Sequence, residues 1–246
     1  MHVLYVIMKF IGVLGGMGPT SSVLFYRMLI EECQKIYGAK KDEDYPKILI
    51  YNLPTPGGIS GTLHSRDSLL KVLTEGVKFL ERCGVDIICI PCASVHCFIE
   101  ELIGESEVPM MNMIEIAAKN IFFNNIERVG LLATKACIFN KVFQKEFEKR
   151  GIETLVPDGD ELDALEKIIW DVYEFKFEKN VKRLKNIVEN LLEKGAECIV
   201  IGCTELSYFQ DKLKEFPIVD CMRLLAQETI RFSLSRELSN LQSARP

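Results

Sequence analysis

The chain has 246 residues, of which 48% are hydrophobic and 26% are charged, so it can bury one large core or two smaller ones. Its 30 Lys and Arg residues against 35 Asp and Glu residues give a formal net charge of −5. Because no run of like charge interrupts this mixture, the composition predicts an acidic globular protein and gives no support to a nucleic-acid partner.

Nine cysteines accompany only three histidines. Because the cysteine count is odd, the chain is long and no secretory signal precedes it, the thiols are predicted to be reduced and the protein cytoplasmic. The apolar start, Met1–Lys9, is too short for a membrane span and lacks a small-residue cleavage site, so no membrane partner is expected.

Short apolar runs bounded by Gly or Pro alternate with longer amphipathic stretches along the chain. In the first half, predicted strands and helices alternate as Phe10–Leu14, Ser21–Ile36, Ile48–Asn52, Asp67–Glu81, Ile87–Ile90 and His96–Leu102. The second half continues with the strand Val129–Leu132, a helix at Ile138–Lys149, a long helical region at Glu161–Glu193, the strand Cys198–Ile201 and a helix at Leu206–Leu213. This alternation predicts an α/β fold with parallel sheets and helices on both faces.

An internal repeat relates the two halves of the chain. Gly84–Cys92 aligns with Gly195–Cys203 at the same spacing, and Ile11–Gly15 resembles Val129–Ala133. Two pseudosymmetric α/β domains are therefore predicted. Because ligands of parallel α/β sheets bind beyond the carboxyl ends of the strands, the active site is expected in the cleft between these domains.

Cys92 and Cys203 each follow a predicted buried strand and precede a predicted helix. Backbone N–H groups and the helix dipole at such a position are expected to lower the pKa of the thiol. A thiolate and a neutral thiol across a cleft can act as proton acceptor and proton donor on opposite faces of one bound substrate. Cys92 and Cys203 are therefore the candidate catalytic pair. The cysteines inside helices or strands are interpreted as small buried hydrophobic residues, namely Cys33, Cys83, Cys89, Cys137, Cys198 and Cys221.

Groups near the two cysteines are candidates for binding the substrate and for tuning the thiols. The candidate substrate contacts are Met17 and Gly18 after the first strand, Asn52 at the end of the second, and Ala93, Ser94, Val95, Thr134 and Thr204 around the cysteines. Glu205 and His96 are the candidates for tuning the thiols, and the alternative for both is a residue that begins a helix.

Cofactor and metal sites receive little support. Gly12–Pro19 is not a G-x-G-x-x-G sequence, and the second strand ends in Tyr51-Asn52 without an acidic residue for a ribose. Cys92 and His96 have no second ligand pair at the spacing of a zinc site. We therefore expect neither a cofactor nor a metal.

Four segments resemble those of the aspartate/glutamate racemase family, in the same order along the chain. They are Gly15–Pro19, the Pro91-Cys92-x-x-x-His96 block, Leu131–Thr134 and Gly202–Glu205. The resemblance implies two pseudosymmetric α/β domains, a reaction without pyridoxal phosphate, Cys92 and Cys203 as acid and base, and a homodimer. It also implies a first domain of residues 1–112 with 217–246 and an inserted second domain of residues 113–216.

Relatives in the wider superfamily that decarboxylate or isomerise keep one of the two cysteines, so the presence of both favours racemisation. Three features depart from the pattern of aspartate racemases. Ala93-Ser94-Val95 replaces Asn-Thr-Ala, Leu53–Ser65 lacks the family's arginine although Arg66 follows, and the family's lysine falls between Glu174 and Lys176. Aspartate is the leading expected substrate, with glutamate or a broader specificity as alternatives.

Two other classes of function are kept as alternatives. A non-catalytic two-domain ligand-binding protein would bind an amino acid without exchanging its Cα proton. A thiol-redox enzyme would use Cys92 with Cys89, which stands at C-x-x-C spacing from it, or with Cys97, which does not.

Overall fold

The computed structural model describes residues 8–55 and 66–234. Its first sheet contains three parallel strands, β1 (Ile11–Gly15), β2 (Ile48–Asn52) and β3 (Ile87–Cys89), in the order β2-β1-β3. A single parallel bridge between Ile88 and Met110 extends this sheet beyond β3. All residues of β1 and β3 are buried, as expected for the interior of a parallel sheet.

The second sheet contains four parallel strands. They are β4 (Arg128–Leu132), β5 (Glu153–Leu155), β6 (Cys198–Ile201) and β7 (Ile218–Asp220), in the order β5-β4-β6-β7. In both sheets the first strand in sequence pairs with the next two along the chain. The two sheets therefore confirm the predicted α/β class with parallel strands.

Nine helices accompany the strands in the part of the chain that the structure describes. They are α1 (Pro19–Tyr37), α2 (Arg66–Arg82), α3 (Ile99–Glu105), α4 (Met113–Phe123), α5 (Lys135–Phe139), α6 (Gln144–Glu148), α7 (Gly159–Tyr173), α8 (Val181–Glu193) and α9 (Cys221–Leu234). Short 3-10 segments lie at Asp42–Asp44, Ala93–Phe98, Glu178–Asn180 and Thr204–Lys212. Within these described ranges, no helix has the length and apolar character needed to cross a membrane.

Two of the predicted helices are interrupted. The helix expected at Ile138–Lys149 is divided into α5 and α6, because Lys141 adopts a left-handed φ of 52° that a continuous helix cannot contain. The long region expected from Glu161 to Glu193 is divided in the same way, since Phe175 has a φ of 56° and follows the end of α7. The helix expected at Leu206–Leu213 is a 3-10 segment instead.

Helices cover both faces of each sheet. One hydrophobic cluster lies between the sheets and joins Ile11 and Val13 of the first to Val129 and Leu131 of the second through α1, α4 and α9. On the outer face of the first sheet, α2 and α3 pack against Leu14 and its neighbours. On the outer face of the second sheet, α7 and α8 pack against the buried side chains of that sheet. The shared central cluster fixes how the carboxyl ends of the two sheets face each other.

The end of the described chain returns to the first sheet. The strand β7 pairs with β6 in the second sheet, and α9 then packs against α1 and α4. Because residues 218–220 belong to the second sheet, a division by sheets falls after Asp220, four residues later than the boundary expected after residue 216. The division of the chain into two domains itself stays a prediction, and the apolar start at residues 1–7 lies outside the described residues.

Candidate active site

A cavity of about 180 Å³ lies where the carboxyl ends of the two sheets face each other. Loops that follow β1, β3, β4 and β6 contribute to its walls, together with one face of α7. Among the residues that line it are the thiols of Cys92, from the first half of the chain, and Cys203, from the second. The strand ends thus bring the two candidate catalytic cysteines to a single cavity.

The loop after β1 is held by Gly16, Gly18 and Ser22. The backbone of Gly16 has a φ of +93°, and a Cβ there would lie 2.6 Å from the backbone nitrogen of Leu53, so only glycine fits. The hydroxyl of Ser22 accepts the N–H of Gly16 at 2.9 Å and donates to the carbonyl oxygen of Gly18 at 3.0 Å. These contacts fix the position of Met17 and Gly18 in the cavity wall.

Cys92 lies three residues after the end of β3, where extended backbone changes to the 3-10 segment Ala93–Phe98. Only 7% of its surface is exposed. Burial and the negative charge of Glu205 raise the pKa of its thiol, while the backbone N–H groups of Ser94 and Val95 act in the opposite direction.

His96 connects the Cys92 loop to the beginning of α4. Its Nδ1 lies 2.9 Å from the carbonyl oxygen of Cys92, and its Nε2 accepts the N–H of Met113 at 3.1 Å. The ring is therefore neutral, with its proton on Nδ1, and burial lowers the pKa of His96 to about 4. His96 does not line the cavity and acts on Cys92 only through the loop backbone.

Cys203 follows β6 in the equivalent position and is 5% exposed. Its thiol donates a hydrogen bond to Oε2 of Glu205 at 3.1 Å, and the hydroxyl of Ser21 donates to Oε1 of the same carboxylate at 2.8 Å. Thr204 also donates to Oε2, at 3.2 Å. Burial and the charge and hydrogen bond of Glu205 raise the pKa of the Cys203 thiol well above its usual range.

The expected lowering of the two thiol pKa values is therefore wrong. Backbone N–H groups do oppose the rise at Cys92, as the sequence suggested, but burial has the larger effect on both thiols. The segments that follow the cysteines are 3-10 turns, whose short aligned backbone provides little helix dipole. Glu205, a predicted candidate for tuning the thiols, adds a negative charge beside Cys203 and so raises the pKa of that thiol.

The predicted substrate contacts divide into two groups. Met17, Gly18, Ala93, Ser94, Thr134 and Thr204 line the cavity, and so does Glu205. Asn52, Val95 and His96 do not: Asn52 is exposed at the end of β2, and Val95 is fully buried among the side chains beneath the loop. The 3-10 geometry after Cys92 turns Ala93 and Ser94 toward the cavity and Val95 and His96 toward the core.

One wall of the cavity was missed by sequence reasoning. Glu166, Ile169, Trp170 and Tyr173 line it from α7, at the spacing of one helix face. The rings of Trp170 and Tyr173 lie 5.3 Å apart, and a Cβ on Gly18 would lie 2.5 Å from the Tyr173 ring. Tyr173 therefore closes against the loop after β1 from the opposite half of the chain.

The other cysteines correct part of the sequence interpretation. Cys137 is buried as expected, but it also lines the cavity, where its sulfur lies 3.2 Å from the hydroxyl of Ser94. Cys83 is exposed, because it lies at the end of α2, so its interpretation as a buried residue is wrong. Cys89 is buried within β3 and Cys97 is exposed, and neither lines the cavity, which removes support for a redox pair with Cys92.

The two cations considered for the side-chain carboxylate of aspartate lie outside the cavity. Arg66 forms an ion pair with Glu101 and stacks over the ring of Phe98, 4.9 Å from its centre. Lys176 forms an ion pair with Glu174. Of the described residues that line the cavity, two are carboxylates, Glu166 and Glu205, and none is a lysine or arginine.

Comparisons with known proteins agree with this fold. Residues 14–229 match the family described as Asp/Glu/Hydantoin racemase. The chain is 31% identical over 221 residues to a broad specificity amino-acid racemase of Bacillus subtilis, covering 89% of this chain and 96% of that protein. A crystal structure of an aspartate racemase homologue from Pyrococcus horikoshii has a TM-score of 0.79 and 26% identity, covering 93% of this chain and 100% of that one. The aspartate racemase of Picrophilus torridus also has a TM-score of 0.79, with 25% identity and coverage of 93% and 95%.

The fold and these comparisons therefore define a racemase of the two-sheet α/β type. The chain belongs to the Asp/Glu/Hydantoin racemase family and is an amino-acid racemase, an isomerase.

Proposed function

We propose that the chain interconverts the L- and D-enantiomers of an amino acid without a cofactor, with Cys92 and Cys203 as the two acid/base groups. The single observation that carries this proposal is that both thiols line one cavity, one from each sheet. A substrate held between them would present opposite faces of Cα to the two sulfurs. That arrangement meets the requirement of racemisation for one proton acceptor and one proton donor.

The proton balance needs no other reactant. The thiolate of one cysteine takes the Cα proton, and the neutral thiol of the other gives its proton to the opposite face of the carbanion. The first cysteine ends as a thiol and the second as a thiolate, so the reverse reaction uses the same two groups with exchanged roles. The carbanion is stabilised by N–H and hydroxyl donors to the substrate carboxylate, for which Ser94, Thr134 and Thr204 are in the cavity wall.

The two thiols begin in different environments. Cys203 is held as a neutral thiol by its hydrogen bond to Glu205. Cys92 faces backbone N–H groups of Ser94 and Val95, which favour a thiolate. Cys92 is therefore the more readily ionised of the pair, and Cys203 is the proton donor when catalysis starts from that state.

Aspartate is the first substrate to test, because of the family resemblance and because the similar solved structures include an aspartate racemase and an aspartate racemase homologue. Glutamate and a broader specificity are the alternatives, the latter in line with the Bacillus subtilis relative. We also propose a cytoplasmic homodimer with two domains, residues 1–112 with 217–246 and residues 113–216, on the family resemblance and on the predicted reduced thiols.

Exchange of the Cα proton in D2O tests the mechanism directly. Each enantiomer of aspartate, glutamate and a panel of neutral and basic amino acids is incubated without cofactor, and deuterium at Cα and inversion are followed together. We expect deuterium at Cα with inversion for at least one amino acid. Binding without exchange for every amino acid would favour the non-catalytic ligand-binding alternative.

Cysteine variants assign the reaction to the proposed pair. Cys92→Ala and Cys203→Ala should each lower racemisation in both directions by about a hundredfold or more, as expected for loss of a general acid or base. Cys137→Ala removes a third thiol from the same cavity, and Cys83→Ala removes an exposed one. Both controls should stay within about tenfold of the unmodified chain. Full activity in Cys92→Ala or Cys203→Ala would overturn the two-thiol mechanism.

A further inference from the structure

The wall that α7 contributes to the cavity has a distinct chemical character. Glu166, Trp170 and Tyr173 lie on one face of this helix and provide one carboxylate and two aromatic rings. The thiols lie on the loops after β3 and β6, so the α7 wall is a separate surface beside the reacting centre. It can therefore contact the substrate's side chain while the thiols act at Cα.

Glu166 is half-buried, and no described residue of the cavity wall supplies a cation to neutralise its charge. Its Oε2 accepts the backbone N–H of Lys135 at 3.0 Å. The ammonium of Lys135 lies close enough for the charge of Glu166 to attract it, but this ammonium forms an ion pair with Asp163 and does not line the cavity. The carboxylate therefore contributes negative potential to the cavity.

The two aromatic rings beside Glu166 also favour a cation. The faces of tryptophan and tyrosine rings attract ammonium and guanidinium groups because of their quadrupole. Trp170 and Tyr173 lie 5.3 Å apart at an interplanar angle of 33°, and both remain partly exposed. Together with Ile169 they offer apolar surface to an aliphatic stem that ends at Glu166.

A side-chain carboxylate would find the opposite conditions in this cavity. Glu166 and Glu205 would repel it, and the described lining residues include no lysine or arginine to pair with it. Arg66 and Lys176 are held by Glu101 and Glu174 outside the cavity. The sequence of residues 56–65, which lies outside the described part of the chain, contains no lysine or arginine either.

We propose that Glu166 is a specificity-determining residue that selects amino acids with a cationic side chain, of the lysine or ornithine kind. The proposal rests on the amino-acid racemase function above and specifies its substrate class. The substrate's ammonium would pair with Glu166, its methylene groups would lie along Ile169 and Trp170, and its Cα would lie between the two thiols. The charge on the α7 wall would thus decide the substrate, while the cysteines decide the reaction.

Lysine and norleucine provide a matched test, because norleucine has a straight side chain without the charge. Trp170 is the only tryptophan of the chain and lines the cavity, so its fluorescence reports binding separately from catalysis. Binding and Cα exchange are measured for lysine, norleucine and aspartate with the unmodified chain, Glu166→Gln and Asp160→Asn. Glu166→Gln keeps an acceptor for the Lys135 N–H, and Asp160→Asn removes the same charge from an exposed position of the same helix outside the cavity.

We expect lysine to have the highest kcat/KM of the three, and Glu166→Gln to lower this value about tenfold or more while leaving norleucine unchanged. Asp160→Asn should leave the preference for lysine intact. Faster exchange of aspartate than of lysine, or a lysine preference that survives Glu166→Gln, would overturn the proposal. Lysine binding that depends on Glu166 without exchange of any amino acid would support the charge selection and contradict the racemase mechanism, so the two failures are distinguishable.

Discussion

The thiol of Cys203 donates a hydrogen bond to Oε2 of Glu205 at 3.1 Å, within a group of buried residues that also contains Ser21 and Thr204. Burial and the charge of Glu205 also raise the pKa of the Cys92 thiol, but the backbone N–H groups of Ser94 and Val95 oppose that rise and favour a thiolate there. The two halves of the chain repeat the position of the cysteine but not its electrostatic environment. This difference gives the proposed acid/base pair a preferred starting state.

The rate of racemisation should rise with pH above neutrality. Burial raises the pKa of both thiols, so only a small fraction carries the thiolate needed to remove the Cα proton near pH 7. As long as the pH stays below the pKa, raising it by one unit increases the thiolate fraction about tenfold. The logarithm of kcat/KM should therefore rise with a slope near one from about pH 7 to about pH 9. Initial rates in both directions across this range check the prediction. A rate that is level from neutral pH upward would contradict the raised pKa values.

Replacing Glu205 by glutamine should move this pH profile to lower pH. The substitution removes the negative charge and weakens the hydrogen bond that keep Cys203 protonated, so its thiol should ionise more readily. We expect a displacement of about one pH unit, larger in the direction of reaction in which Cys203 is the base. Ser21→Ala is the control, because it removes one hydrogen bond to Glu205 but keeps the charge. Equal displacements in the two variants would show that the charge is not the cause.

Acid should destabilise the fold through His96. The pKa of this histidine is lowered to about 4 in the folded chain, whereas an unfolded chain has a value near 6.5, so the unfolded state binds more protons between these values. The stabilisation is complete above about pH 6.5 and is lost as pH falls through about 4. Between pH 7 and pH 5 the free energy of unfolding should fall by about 2 kcal/mol more than in a variant with an uncharged residue there.

His96→Gln is the suitable variant, since an amide can still donate to the Cys92 carbonyl or accept from the Met113 N–H. Urea unfolding of both proteins at the two pH values gives the difference. Carboxylates elsewhere contribute equally to both proteins and cancel in the comparison. An identical loss of stability in the two would mean that His96 is not the titrating group.

The sequence was sufficient to predict the parts of the site that depend on chain order. A cysteine after a buried parallel strand must lie at the carboxyl edge of its sheet. Cys92 and Cys203 could therefore be placed at that edge from the repeated sequence pattern that precedes each of them. The direction in which the side chains after each cysteine point could not be predicted, because it depends on whether the segment that follows the cysteine forms an α-helix or a 3-10 turn. This is why Ala93 and Ser94 face the cavity whereas Val95 is buried.

The α7 wall could not be predicted for a different reason. Glu166, Trp170 and Tyr173 have the spacing of an ordinary amphipathic helix, and only the packing of α7 over the strand ends brings that face to the cysteines. The thiol pKa values depend on packing in the same way. Burial is a property of the whole fold, so its effect on Cys92 was not visible from the residues next to it.

Gly16 and Gly18, two residues apart in the loop after β1, should respond differently to alanine. At Gly16 the added Cβ would lie 2.6 Å from the backbone of Leu53 at a φ of +93°, and backbone cannot move aside cheaply. Gly16→Ala should therefore lower the free energy of unfolding by about 2 kcal/mol or more. At Gly18 the Cβ would meet the ring of Tyr173, which can rotate away, so Gly18→Ala should change stability by less than about 1 kcal/mol.

Displacing the Tyr173 ring in Gly18→Ala should lower kcat/KM about tenfold and change the fluorescence of Trp170, whose ring lies 5.3 Å from Tyr173. Urea unfolding, fluorescence spectra and racemisation rates of the two variants separate these effects, and an unchanged Trp170 spectrum in an inactive Gly18→Ala would contradict the contact with Tyr173.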